Sequence, residues 1–177
     1  MGRSCPDAAT ALKGMGSRIT GQLVDALVDP DQEFAVRRRL PRVLGELDSQ
    51  LAADGLIQAL SDKRFEVRFH SARALTQIKA RNPHIMIRRE TITEVVEREV
   101  PNGFRDPCSQ IAVDHVFGLL ELVYPREPFH AAHRALKSGD DHLRRTSIEY
   151  LENVLPTSLW QRMLPLLEEE ATLVPAV

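Results

Sequence analysis

The sequence contains few aromatic residues and few cysteines. Of its 177 residues only 5% are aromatic, and Cys5 and Cys108 are the only two cysteines. Two cysteines outside any Cys-x-x-Cys or Cys/His pattern form no disulfide framework, which favours a reducing compartment and predicts a cytoplasmic protein. No stretch approaches the ~20 apolar residues that a membrane-spanning helix needs. The N-terminus also lacks the apolar core of a signal peptide.

The charge balance and the missing motifs argue against several functional classes. The formal net charge is −2, whereas general binding to nucleic-acid phosphates needs a clear basic excess. The chain has no P-loop, no Gly-rich dinucleotide fingerprint and no Ser/His/Asp constellation. We therefore expect a protein that is not an enzyme and that carries no cofactor and no metal.

The residues that are abundant favour helix. Leu, Ala, Arg and Glu dominate, and apolar residues recur at spacings of three and four between short polar turns. We predict an all-α protein with a flexible leader at 1–17, one domain at 18–170 and a frayed tail at 171–177. Pro41 lies inside the second helix and is expected to kink it. The nine predicted helices cover about 19–28, 34–47, 50–60, 65–79, 85–100, 109–124, 129–137, 141–154 and 157–170.

An internal repeat organises these helices. Six positions of the segment from Leu60 to Leu75 match positions of the segment from Leu136 to Leu151 at one constant offset of 76, without a gap. The matched positions of the first segment are Leu60, Val67, Arg68, Ser71, Ala72 and Leu75. A third copy aligns Val36-Arg37 with Val67-Arg68. The unit is a helix, a short polar turn with Asp, and a second helix that opens with an apolar residue and Arg. Because one such unit cannot bury its apolar stripes alone, the pattern predicts an α-solenoid of stacked antiparallel helix pairs.

The repeat pattern L-x-D-x-x-x-x-V-R-x-x-A-x-x-A-L resembles HEAT repeats, while the Trp/Gly/Tyr signature of the similarly long tetratricopeptide repeats is missing. More closely, the segments Leu119–Pro125, Leu143–Arg144 and Glu149–Pro156 are similar to the soluble HEAT-type region of bacterial ATP/ADP-translocase-like proteins. The segment Ala35–Leu44 resembles an earlier part of that region. The resemblance implies a HEAT-like solenoid over most of residues 19–169, with a possible association with a membrane protein.

Six charged positions of the repeat are interpreted as structural. An Asp in the turn can cap the free N–H groups of the following helix, and an Arg two residues into that helix can reach back to turn carbonyls or to the Asp of a neighbouring unit. These positions are Arg37, Arg68 and Arg144 with Asp29, Asp62 and Asp140.

A second set of arginines makes the N-terminal half basic, whereas the C-terminal half is acidic and ends in Glu168–Glu170. Exposed arginine runs on helices are usually solvated. The functional alternative is a surface for an anionic partner, either an acidic protein surface or a phosphate backbone. The candidate partner-binding residues are Arg38, Arg39, Arg42, Arg64 and Arg73.

The histidines offer only a weak metal pattern. Glu127, His130 and His133 are spaced by three residues, but a zinc or di-iron site would need further ligands. We therefore interpret them as an exposed polar face, and the apolar neighbourhood of His115 as that of a core or boundary histidine.

The sequence thus favours a non-catalytic interaction scaffold or regulatory module that binds a protein of unknown identity. One alternative is a cytosolic regulatory portion of a nucleotide-transporter-like membrane protein. Another is a HEAT-like nucleic-acid binder or DNA glycosylase, for which only Trp160, in the acidic half, offers an indole.

Overall fold

The computed structural model describes residues 16–100 and 109–173, and every regular element in those ranges is an α-helix. The predicted all-α class is therefore confirmed. Residues 1–15 of the predicted leader, both cysteines and residues 174–177 of the predicted tail lie outside the described residues. The helices are α1 Ser17–Val28, α2 Phe34–Arg37, α3 Leu40–Leu44, α4 Gln50–Ala59, α5 Phe65–Arg81, α6 Arg89–Glu99, α7 Ser109–Leu120, α8 Arg126–Leu136, α9 Asp141–Val154 and α10 Thr157–Leu173.

The chain divides into two compact units, a first unit up to Met86 and a second unit from Ile87. The single domain at 18–170 stays a prediction. In the first unit α1 packs on α4 and α3 packs on α5, while α1 also contacts α3 and α4 contacts α5. Two helix pairs are thus stacked in two layers, which is the arrangement of an α-solenoid.

The second predicted helix is two short helices. Pro41 has no N–H to donate to the carbonyl four residues earlier, so a continuous helix would lose a hydrogen bond at that point. The chain instead leaves the helix after Arg37 and starts again at Leu40, which places Pro41 in the first turn of α3. First-turn N–H groups have no partner within a helix, so proline costs little there. The helix also ends at Leu44, three residues before its predicted end.

The core of the first unit follows the apolar stripes. Leu27, Leu44, Leu56 and Leu75 are completely buried. Ser49 is the N-cap of α4, as predicted, and its hydroxyl accepts a hydrogen bond of 3.2 Å from the backbone N–H of Ala52. This cap satisfies one of the free N–H groups at the helix start.

The segment at 85–88, predicted as helix, is not helical, and α6 begins only at Arg89. Two side chains of the first unit form hydrogen bonds with backbone groups at and just before the start of this segment. The Gln50 amide donates to the carbonyl of Met86 at 3.0 Å and accepts from its N–H at 2.9 Å. The Lys79 ammonium donates to the carbonyls of Pro83 and Ile85 at 2.9 and 2.7 Å. These backbone groups therefore have partners without forming a helix.

In the second unit α6 contacts both α7 and α10. Helix α7 also contacts α8, α8 contacts α9, and α9 contacts α10. Phe117 of α7 and Phe129 of α8 are almost completely buried. The turn between α8 and α9 contains Gly139 at a φ of 70°, a conformation that favours glycine. Helix α9 has the predicted bounds, and α10 extends three residues beyond its predicted end.

Candidate protein-interaction surface

Arg37 is a buried arginine that joins three parts of the first unit. Its Nε donates to the carbonyl of Leu27 at 2.9 Å, and its Nη2 pairs with the carboxylate of Asp62. Leu27 lies in the last turn of α1, where helix carbonyls lack partners within the helix. The contact therefore satisfies the end of α1 and links it to the turn of the next helix pair.

The other two repeat arginines also reach turn or helix-end carbonyls. Arg68 Nη1 donates to the carbonyl of Asp62 at 2.9 Å. Arg144 Nη1 donates to the carbonyl of Leu136 at 3.0 Å, and its Nη2 donates to the carbonyl of Leu167 in α10. Leu136 is the last residue of α8, as Leu27 lies in the last turn of α1, so in both units the repeat arginine binds a carbonyl at the end of the preceding helix.

The three turn aspartates bind backbone N–H groups with their side chains. Asp140 caps α9, accepting from the N–H groups of residues 142 and 143 at 2.9 and 3.0 Å. Asp62 accepts from the N–H of Arg64 at 2.8 Å, and Asp29 accepts from that of Asp31 at 2.9 Å. Asp29 and Asp62 thus order the turns, whereas Asp140 alone binds N–H groups inside the following helix.

The five candidate partner-binding arginines all lie in the first unit: Arg42 on α3, Arg73 on α5, and Arg38, Arg39 and Arg64 in the turns that precede α3 and α5. All five are exposed. Within the described residues their side chains form no ion pair with a carboxylate. They contrast with Arg37, whose side chain is only 8% exposed and is paired. An arginine that has no ion-pair partner within the protein keeps its N–H donors available for an external group.

Two of these arginines lie over phenylalanine rings, and these contacts were not predicted from the sequence. The guanidinium of Arg64 lies 5.1 Å from the centre of the Phe34 ring, and that of Arg73 lies 5.8 Å from the centre of the Phe69 ring. The ring centre of Phe65 lies 5.8 Å from that of Phe69. The sequence did contain a signal for phenylalanines at these helix starts, because the pattern Phe-x-Val-Arg begins both α2 and α5.

The histidines of α8 face two different carboxylates. His130 Nδ1 lies 3.4 Å from Glu121, while His133 Nε2 lies 3.0 Å from Asp114 without the alignment of a hydrogen bond. Glu127 is exposed. No group of three or more His, Cys, Asp or Glu within the described ranges is placed to hold a metal ion.

His133 is held in its neutral form. Its ring is stacked on Phe117, with centres 4.3 Å apart and planes 3° apart. Burial lowers the pKa of His133 to about 4, and the Lys137 ammonium adds to this effect against the opposing carboxylate of Asp114. The contact between His133 and Asp114 is therefore not an ion pair at neutral pH.

This pKa predicts a loss of stability in acid. The unfolded chain binds a proton at His133 near the ordinary pKa of 6.5, whereas the folded chain binds it only near 4. The free energy of unfolding therefore falls as the pH decreases from about 6.5 towards about 4. We expect His133→Gln to remove this part of the pH dependence in urea unfolding. His142→Gln, at an exposed site of the same unit, should retain the full wild-type dependence; an unaltered dependence in His133→Gln would contradict the assignment.

The repeat does not bury its apolar anchors equally. Val67 is completely buried, whereas Val36 and Leu143 at the corresponding positions are 38% and 48% exposed. Val67 is covered within the stacked pairs of the first unit. Leu143 instead lines an apolar groove of about 500 Å³ between α8 and α9, with Ala135 and Tyr150.

Comparison with known proteins supports the repeat interpretation. No curated protein matches the chain, so the similarity to translocase-like proteins stays a prediction. No helix among the described residues is long and apolar enough to cross a membrane. Residues 20–85 match the family model described as HEAT repeats. This range spans the stacked pairs from α1 to α5, and the match supports the assignment of this part of the chain to the HEAT-repeat family.

Proposed function

We propose that this chain is a non-catalytic interaction module whose first unit binds an acidic partner protein. The observation that carries the proposal is the set of exposed arginines without ion-pair partners on α3, on α5 and in the turns that precede these two helices. HEAT repeats commonly serve as protein-interaction scaffolds, and the matched range contains all of these residues. A folded protein that concentrates one sign of charge on a surface attracts partners of the opposite charge.

The two consecutive arginines at the break between α2 and α3 provide the test. The double variant Arg38→Glu/Arg39→Glu reverses two charges at exposed positions, so the fold should be retained and the circular dichroism spectrum should not change. We expect it to capture at least about tenfold less of the partner from a lysate of the native host, since like charges facing each other across an interface cost several kcal/mol.

A matched control comes from the second unit. Arg88→Glu/Arg145→Glu also reverses two exposed charges and should capture as much partner as the wild type. Equal capture by the Arg38/Arg39 variant and the wild type would exclude the basic surface as the binding site, while equal losses in both variants would show that only net charge matters.

Nucleic-acid binding is the competing function, and salt dependence separates it from protein binding. A protein that binds duplex DNA through several phosphates loses affinity steeply with salt. We expect no shift of duplex DNA in gels at low ionic strength. Binding under those conditions that is lost in Arg38→Glu/Arg39→Glu would replace the proposal with nucleic-acid binding.

A further inference from the structure

Arg42 and Arg73 occupy the same position of two successive repeats. The offset of 31 residues that aligns Val36 with Val67 also aligns Arg42 with Arg73. Their helices lie close together, because a Cβ atom added to Gly45, the residue after α3, would lie 3.0 Å from the Cβ of Ala74 in α5. Packed helices have axes about 8–10 Å apart. Two exposed guanidinium groups thus extend from neighbouring helices at equivalent positions.

The phenylalanine rings restrict the arginines beside them. Arg73 lies over Phe69, Arg64 lies over Phe34, and the ring of Phe65 is close to that of Phe69. An arginine that rests on an aromatic face loses less rotamer freedom when it binds a ligand than a freely moving one. The planar guanidinium keeps its edge available for two parallel hydrogen bonds to a carboxylate.

We infer that this arginine–phenylalanine surface binds an extended acidic segment of the partner with carboxylates three residues apart. The inference rests on the proposed function and specifies the partner's chemistry. In the extended polyproline-II conformation the chain advances about 3.1 Å per residue with three residues per turn, so side chains three residues apart lie on the same side of the peptide, about 9 Å apart. This distance matches the expected spacing of the helices that carry Arg42 and Arg73. The residues of the surface are Phe34, Arg42, Arg64, Phe65, Phe69 and Arg73.

The surroundings favour a peptide over a nucleic-acid strand. Exposed Glu33 and Glu66 are the chain neighbours of Phe34 and Phe65, and would repel a continuous line of phosphates. A guanidinium already lies over each of the rings of Phe34 and Phe69, whereas single-stranded nucleic acids bind by stacking bases on open aromatic faces. An acidic peptide can place neutral residues opposite the two glutamates.

The test uses the full chain and fluorescence anisotropy with a labelled peptide of repeated Glu-Ser-Gly units. We expect the peptide to bind, and its dissociation constant to rise at least about tenfold in Arg42→Glu and in Arg73→Glu, with unchanged circular dichroism. Arg73→Lys keeps the charge but not the bidentate geometry, so a several-fold weakening is expected. Arg145→Glu in the second unit should bind like the wild type.

Three results would overturn the inference. A peptide with Gln in place of Glu could bind equally well, the two charge reversals could leave binding unchanged, or a duplex DNA could bind more tightly than the peptide and lose binding in the same variants. If the wild type does not bind the acidic peptide while Arg38→Glu/Arg39→Glu still reduces partner capture, this inference fails and the proposed function survives. If partner capture is also unchanged in Arg38→Glu/Arg39→Glu, both this inference and the proposed function fail.

Discussion

Replacement of Arg37 by alanine should lower the free energy of unfolding by roughly 3 kcal/mol, because it leaves a mostly buried carboxylate without its cation. Asp62 is only 10% exposed at its side chain and would keep the N–H of Arg64 as a partner but lose the guanidinium. The carbonyl of Leu27 would also lose its side-chain donor. We propose that this link joins the two helix pairs of the first unit, and urea unfolding followed by circular dichroism measures its loss.

Neighbouring arginines supply the control for this prediction. Arg39→Ala removes an exposed side chain two residues away, and its effect should stay within about 0.5 kcal/mol. Asp62→Ala should be costly as well, and the double variant should lose less than the sum of the two single variants, since both remove the same pair. Additive losses would show that Arg37 and Asp62 act independently.

Gly55→Ala should lower the free energy of unfolding by about 1–2 kcal/mol, although alanine is the better helix former by about 1 kcal/mol. Helix α4 approaches α1 closely at this point. A Cβ atom at Gly55 would lie 2.4 and 2.6 Å from the two methyl carbons of Val24 and 3.0 Å from its Cβ. The Cβ contact cannot be relieved by a rotation of the Val24 side chain, so the helices would have to separate.

Gly21→Ala is the matched control, because it lies in α1 and a Cβ atom there would meet nothing within 4 Å. This change should raise the stability by up to about 1 kcal/mol through helix propensity alone. Gly55→Ala should also cost less when Val24 is already alanine. Equal stabilisation by both glycine replacements in urea unfolding would show that α1 and α4 are not in close contact at Gly55.

Helix positions were largely predictable from local patterns. The side chains of Ser49 and Asp140 each cap the start of the following helix. Helix α9 also has its predicted bounds. Both caps depend on neighbouring residues only, which is why sequence reasoning identified them. The segment at 85–88 was predicted as helix and is not, because Gln50, a residue distant in the chain, binds the backbone of Met86.

The candidate surface was only partly predictable. The exposed arginines could be named from their number and spacing, whereas the contact of Arg64 with Phe34 joins residues thirty positions apart. The repeat equivalence likewise predicted the positions of Val67 and Leu143, but not that one is buried and the other lines a groove. Burial depends on whether another helix packs over the position, which is a property of the stack.

The sequence by itself determined the helical class and the repeat, since both follow from apolar spacing and from an Arg at recurring positions after a turn that contains Asp. Only the tertiary structure decided which groups each arginine meets. The repeat distinguishes Arg37 from its neighbours, but not its partners: Arg37 is the last residue of α2, whereas Arg38 and Arg39 lie in the turn before α3. Arg37 turns inward, where Leu27 and Asp62 meet it from two other elements, while its neighbours are exposed.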